Sequence, residues 1–223
     1  MNLIKSYEFF QPEKDKSRIH IIGCGSVGST IAENLARCGI TKMTLYDFDK
    51  VESHNVHNQM YDERHIGMTK VDALASILKD INPEIERDLK LVPEGWTDQK
   101  MSGYIFLAVD SIDVRKEIVD KHFNDMNVRA VFDVRTLLTG AQHYAADWMD
   151  LKMKKNLVAS MDFTHEEAMD ETPVSACGTT LGVVTTVRLI SALAVNNYIK
   201  FVKGEGLWKF VQIDGFTGLL DCF

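Results

Sequence analysis

At 223 residues the chain is long enough for one substantial hydrophobic core and short for two independent domains. It is 45% hydrophobic and 26% charged with only four prolines, which fits a soluble globular protein and argues against a long disordered tail. A net charge of −7 argues against a surface that neutralises a phosphodiester backbone, so no nucleic-acid partner is expected; a local basic pocket for one small phosphate ligand remains compatible with it.

The opening stretch MNLIKSYEFFQPEKDKSR lacks the unbroken apolar core of a signal peptide, and no run of apolar residues is long enough to span a bilayer. A cytoplasmic protein with no membrane partner is expected. In chain order, short apolar runs alternate with amphipathic stretches, the pattern of βαβ units. The expected fold class is therefore α/β, a Rossmann-like mostly parallel sheet flanked by helices, with a C-terminal antiparallel extension. Ile19–Ile22 reads as the first strand, the glycines of GCGSVGS follow, and 30–38 reads as a helix that Gly39 ends. Met43–Tyr46 reads as the second strand, with Asp47 at its tip.

Further on, TKVDALASILKDI places Val71, Leu74, Ala75 and Leu78 on one helical face, and NPE stops that helix. A strand over 104–109 ends at Asp110, followed by a helix over 112–123, a strand over 129–133 and an alternating stretch over 142–148. Residues 150–176 are polar and acidic and read as a crossover loop. An apolar helix over 181–202, destined for deep burial or a subunit interface, and a hairpin in WKFVQIDGFTGLLDCF close the chain. One domain over 1–223 is expected, with 1–135 as the Rossmann-like nucleotide-binding part and 136–223 as crossover loop, long helix and closing strands.

Gly23, Gly25 and Gly28 form G-x-G-x-x-G between a predicted strand and a predicted helix. Glycines there let the backbone turn sharply and approach a phosphate, whose charge then meets the helix N-terminus. Asp47 lies where a carboxylate bonds ribose hydroxyls in a nucleotide-binding βαβ unit. A ligand-free glycine turn and a solvated turn aspartate are the plainer readings. To this point the residues fit an NAD site or an ATP site.

The next residues separate these two. Asp47, Phe48, Asp49, Val51, Asn55 and Gln59, then Gly67, Lys70 and the run AVDSIDVR at 108–115, resemble the ubiquitin-activating-enzyme-like adenylyltransferases of the ThiF/MoeB/HesA family. The resemblance covers about 19–115. It implies an enzyme that uses ATP and Mg2+ to adenylate the C-terminal carboxylate of a ubiquitin-like or sulfur-carrier protein, often as a homodimer. Carried across, Gly23, Gly25 and Gly28 would cradle phosphates and Asp47, in a segment shared with Asp49, would hold the ribose. Asn55 and Gln59 would bond phosphates or adenosine, Lys70 would neutralise phosphate charge, and Asp110 would coordinate magnesium. The chemistry suits these residue types: a carboxylate attacking a phosphate brings two anions together and needs cations where charge builds up. Lys70 facing water in a first helical turn, and Asp110 capping the helix near Ile112, are the bland alternatives.

The chain also departs from the family pattern. Asn58 stands where the family usually has an arginine on the triphosphate, no Arg-x-x-Arg-Gln segment precedes the first strand, and the paired cysteines that hold zinc are missing, so no zinc is expected. Arg135, in FDVRT, and Arg64 are the candidate replacements, with an ion pair to Asp133 as the structural reading of Arg135. DVR at 133–135 and ACGTT at 176–180 look like segments of short, zinc-free members. Cys177, before the last long helix, is either a thioester-forming nucleophile activated by the helix dipole or a close-packed turn residue. Cys24 reads as a small filler, and His54, His57 and His65 as solvent or phosphate neighbours rather than metal ligands. A nucleotide-binding scaffold or inactive partner subunit, and an NAD-dependent oxidoreductase, are the competing functions. Adenylation of a small molecule or a tRNA is a variant of the first reading, with the net charge of −7 arguing against tRNA.

Overall fold

A computed structural model describes residues 1–164, 166–167 and 181–223. Its eight strands are β1 (Ile19–Ile22), β2 (Met43–Tyr46), β3 (Lys90–Val92), β4 (Gly103–Leu107), β5 (Val128–Thr136), β6 (Gly140–Asp147), β7 (Phe210–Asp214) and β8 (Leu219–Cys222). They form one sheet in the order β3-β2-β1-β4-β5-β6-β7-β8. Pairing is parallel from β3 through β5 and antiparallel from β5 through β8. Among the described residues the helices are α1 (Ser26–Arg37), α2 (Lys70–Ile81), α3 (Ile112–His122), α4 (Leu151–Ala159) and α5 (Val184–Val202). This is the Rossmann-like sheet with an antiparallel C-terminal extension that the alternating pattern predicts.

Within the parallel half, β1, β2 and β4 are buried along their whole length, as their unbroken apolar runs require when helices cover both faces. Ile19, Ile21, Tyr104 and Phe106 point to a core shared with α1, α2 and α5, while Ile22, Ile105 and Leu107 point to a second core under α3 and α4. The predicted apolar face of α2 is fully used, since Val71, Leu74, Ala75 and Leu78 are all buried.

Strands β4, β5 and β6 shift by a few residues at their ends, and four further differences from the sequence reading concern α1, β3, α4 and α5. Helix α1 begins at Ser26 instead of 30, because the Ser29 amide closes the first turn on the carbonyl of the N-cap Gly25 at 3.0 Å; Gly28 then lies inside the helix, where a Cβ would stand 1.8 Å from the Gly23 carbonyl oxygen. Strand β3 escapes notice as a short, partly exposed edge with too few residues for a pattern. Within the stretch expected to be all loop, α4 forms because Asp150 accepts the Lys152 and Met153 amides, and Met153 and Leu157, one turn apart, bury on the second core. Helix α5 starts at Val184, and Val187, Ile190, Ala194, Val195 and Tyr198 are buried against α1 and the sheet, so its apolar character serves the core.

Candidate nucleotide site

The chain runs from β1 outward through β2 to β3, then returns to place β4 on the other side of β1. Strand order reverses between β1 and β4, and in an open parallel sheet this opens a crevice beyond the strand ends. The glycine loop crosses that crevice. Gly23 has φ +91°, and a Cβ there would lie 2.6 Å from the Ala108 carbonyl oxygen, so the loop passes tight over the end of β4. A Cβ at Gly25 would meet nothing within 4 Å. Gly25 is also the N-cap of α1 and supplies no side-chain bond, and the first turn carries no acid, so the leading amides are left for an anion.

Beside this loop lies a compact charge cluster. Asp47, 9% exposed, accepts the Cys24 amide at 2.6 Å on one oxygen and the Asp49 amide at 2.9 Å on the other. Burial pushes its carboxyl pKa up, and the Lys70 ammonium works against that shift. Lys70 is 8% exposed and its Nζ donates to Asp49 Oδ2 at 2.7 Å. Burial opposes its charge, but the carboxylates of Asp47, Asp49 and Asp110 outweigh burial and hold its pKa above the ordinary value. The water-facing reading of Lys70 is therefore wrong. Thr69, not Lys70, meets the needs of the helix end by accepting the Asp72 amide.

Asp110 is exposed just beyond β4, and the capping alternative for it also fails, because Ser111 caps α3 by accepting the Val114 amide at 3.3 Å. Tyr61, which the sequence reading did not single out, donates to the Cys24 carbonyl at 2.6 Å and lies 3.2 Å from the Lys70 carbonyl. It joins the glycine loop to the start of α2.

The remaining predicted residues divide differently. Asn55 is buried and its Oδ1 accepts the Glu52 amide at 2.9 Å, closing a short helical turn, so its oxygen serves the loop rather than a ligand. Asn58 faces the stretch before α5, where a Cβ on Gly182 would come 3.2 Å from its Nδ2. The Gln59 Oε1 atom is buried and has no hydrogen-bond donor among the described residues. Cys24 is a buried filler as expected, its thiol pKa pushed well up by burial. Cys177 and the ACGTT segment lie outside the described residues. His65 is buried and accepts the Asp62 amide at 3.1 Å, which makes it a loop cap rather than a phosphate neighbour. Among the described residues no three His, Cys, Asp or Glu side chains group as metal ligands.

Neither candidate replacement arginine is free. Arg64 is exposed and forks onto Asp62, with its closest contact at 2.6 Å. Arg135 donates from Nε to Asp133 Oδ2 at 2.8 Å and from Nη1 to the Ser160 carbonyl at 2.7 Å, and stacks over Tyr144 at 4.6 Å. The ion pair with Asp133, the structural reading of Arg135, is present. The other oxygen of Asp133 accepts from Arg115, whose guanidinium also holds the carbonyls of Leu107, Val109 and Val134. Arg115 thus braces the end of β4 directly before Asp110.

Residues 6–221 match the ThiF family. Over 86 residues the chain is 43% identical to ubiquitin-like modifier-activating enzyme 5 of Drosophila simulans, covering 39% of this chain and 20% of that protein. The Bombyx mori protein of the same name is 39% identical over 88 residues, 40% of this chain and 21% of its own length. These matches span about a fifth of the curated relatives. Among solved structures, Escherichia coli MccB with succinimide superposes with TM-score 0.71 at 17% identity, covering 93% of this chain and 63% of that one. The E. coli tRNA N6-threonylcarbamoyladenosine dehydratase TcdA gives 0.63 at 18% identity, covering 90% and 93%. The structural likeness at such identities speaks for the fold, and the sequence match over nearly the whole length speaks for descent: the chain belongs to the ThiF family.

Proposed function

We propose that this chain is an ATP-dependent adenylyltransferase acting on the C-terminal carboxylate of a ubiquitin-like or sulfur-carrier protein. The observation that carries the reading is Lys70, a buried ammonium held charged among Asp47, Asp49 and Asp110 at the mouth of the uncapped α1 N-terminus. The donor set fits the nucleotide. The amides from Gly25 onward would take phosphate oxygens, and Asp47, with lone pairs left on both oxygens, would take ribose hydroxyls. Asp110 would hold Mg2+, which commonly binds through one or two carboxylates plus substrate phosphates.

In the reaction a carboxylate oxygen bonds to the α-phosphorus as the bond to pyrophosphate breaks. The attacking carboxylate is already ionised at neutral pH, so the chain need supply no general base. Lys70 and the α1 amides would meet the negative charge that gathers on the phosphoryl oxygens. Bound Mg2+ would supply further charge neutralisation of the same kind. The relatives named as ubiquitin-like modifier-activating enzymes support the substrate class. A homodimer, and onward transfer to Cys177 with release of AMP, belong to the same proposal.

A nucleotide-binding scaffold or inactive partner subunit is the second reading, favoured by Asn58 together with the engagement of Arg64 and Arg135 by carboxylates. The test is thermal stabilisation by ATP with Mg2+, ATP alone and NAD, on the wild type and Asp110→Ala, followed by ATP–pyrophosphate exchange with candidate carrier proteins. A shift that needs ATP and Mg2+, and that loses its Mg2+ dependence in Asp110→Ala, supports the nucleotide site. Tight ATP binding with no exchange moves the reading to the scaffold, and a shift with NAD alone rejects both.

A further inference from the structure

Among the described residues Arg188 is the one arginine without an oxygen acceptor. Arg18, Arg37, Arg64, Arg87, Arg115, Arg129 and Arg135 each bond a carboxylate or a carbonyl. Arg188, half-buried in the second turn of α5, donates only to the thioether sulfur of Met60, a weak acceptor. Among the described residues this half-buried guanidinium lacks the planar oxygen partner it suits best.

Its surroundings place it at the nucleotide site. The amide of Met60 donates to Ser29 Oγ in the first turn of α1 at 3.3 Å. Ser191, one turn further along α5, lies 3.5 Å from the carbonyl of Val27, also in that first turn. The stretch before α5 packs on Asn58 through Gly182. Next to Met60 in the chain, the buried Oε1 of Gln59 has no donor among the described residues. Among the described residues, a cation without an oxygen partner, an open helix N-terminus and an amide oxygen without a donor thus share one corner, on the side where Asn58 replaces the expected arginine.

We infer that Arg188 binds the β- or γ-phosphate of ATP, supplying from α5 the charge that position 58 lacks. The inference rests on the adenylation reading and names the residue by which the site works without an arginine at 58. The probes are ATP and AMP, each with Mg2+, titrated calorimetrically into the full chain carrying Arg188→Gln, Arg188→Lys, or Arg188→Gln with Asn58→Arg. Arg188→Gln should bind ATP about ten- to a hundredfold more weakly, the weight of one charge-assisted hydrogen bond, with AMP binding and the ligand-free melting temperature unchanged. Arg188→Lys should fall between, and Asn58→Arg should recover ATP affinity in the double variant. Wild-type ATP affinity in Arg188→Gln overturns the inference, as does an equal loss for ATP and AMP accompanied by a lower ligand-free melting temperature. If the wild type binds no ATP, the adenylation reading falls first and this inference with it.

Discussion

Asp133→Asn tests how the site is held. Asp133 is fully buried, with one oxygen on Arg115 and the other 2.8 Å from Arg135 Nε. An asparagine offers one oxygen and one NH2, so whichever way the amide turns, a donor faces a guanidinium. Arg115, 6% exposed, would keep its backbone carbonyls but lose its counter-charge. Removing one partner of a buried ion pair costs about 3–5 kcal/mol, because the remaining charge stays out of water uncompensated. For a chain of this size each kcal/mol lowers the melting temperature by about 2–4 °C, so a fall of about 6–20 °C is expected. Urea and thermal unfolding of wild type and variant measure it. Arg135→Gln, which removes the more exposed partner, should cost clearly less. Arg115 also clamps the carbonyls of Leu107 and Val109, so Asp133→Asn should loosen Asp110 and weaken the Mg2+ dependence of ATP stabilisation. A melting temperature within about 3 °C of wild type, with Mg2+ dependence intact, would refute the bracing role.

Gly28→Ala sets a Cβ 1.8 Å from the Gly23 carbonyl oxygen and should cost about 3 kcal/mol or more, whereas Gly25→Ala should leave stability nearly unchanged; equal urea midpoints for the two would contradict the packing argument. Lys70→Met removes the cation among three carboxylates and should lower ATP–pyrophosphate exchange by about 10²- to 10³-fold, with wild-type exchange rates counting against its role. His20 and His143 are buried, and burial lowers each pKa from 6.5 to about 4. As pH falls below 6.5 the unfolded chain takes up these protons first, so stability is level above that pH and declines between 6.5 and about 4, by up to about 3 kcal/mol per histidine. Urea midpoints from pH 7 to 4.5 should show the decline, and His143→Gln should reduce it; a flat wild-type profile would exclude neutral burial.

Local pattern alone determined the parallel half of the fold except its edge strand β3. Strands β1 and β2 are short apolar runs, α2 is an apolar face at helical spacing, and the glycines sit between a strand and a helix, so each is readable within one window. The positions of Asp47 and Asp110 at strand ends were legible for the same reason, although not the bonds from Asp47 that fasten the glycine loop. Periodicity says which face of a segment is apolar but not which charged side chain meets which. That Asp133 is divided between Arg115 and Arg135, that Tyr61 ties Cys24 to Lys70, and that Arg188 reaches Met60 across 128 positions all depend on strand order and helix packing. Sequence determined the framework of the candidate site, the glycine loop and the strand-end carboxylates, because backbone turns and burial are local demands. Only the tertiary structure decided which cations are spent on structure and which face the crevice, because that choice is made by β4 lying beside β1 and α5 lying against α1.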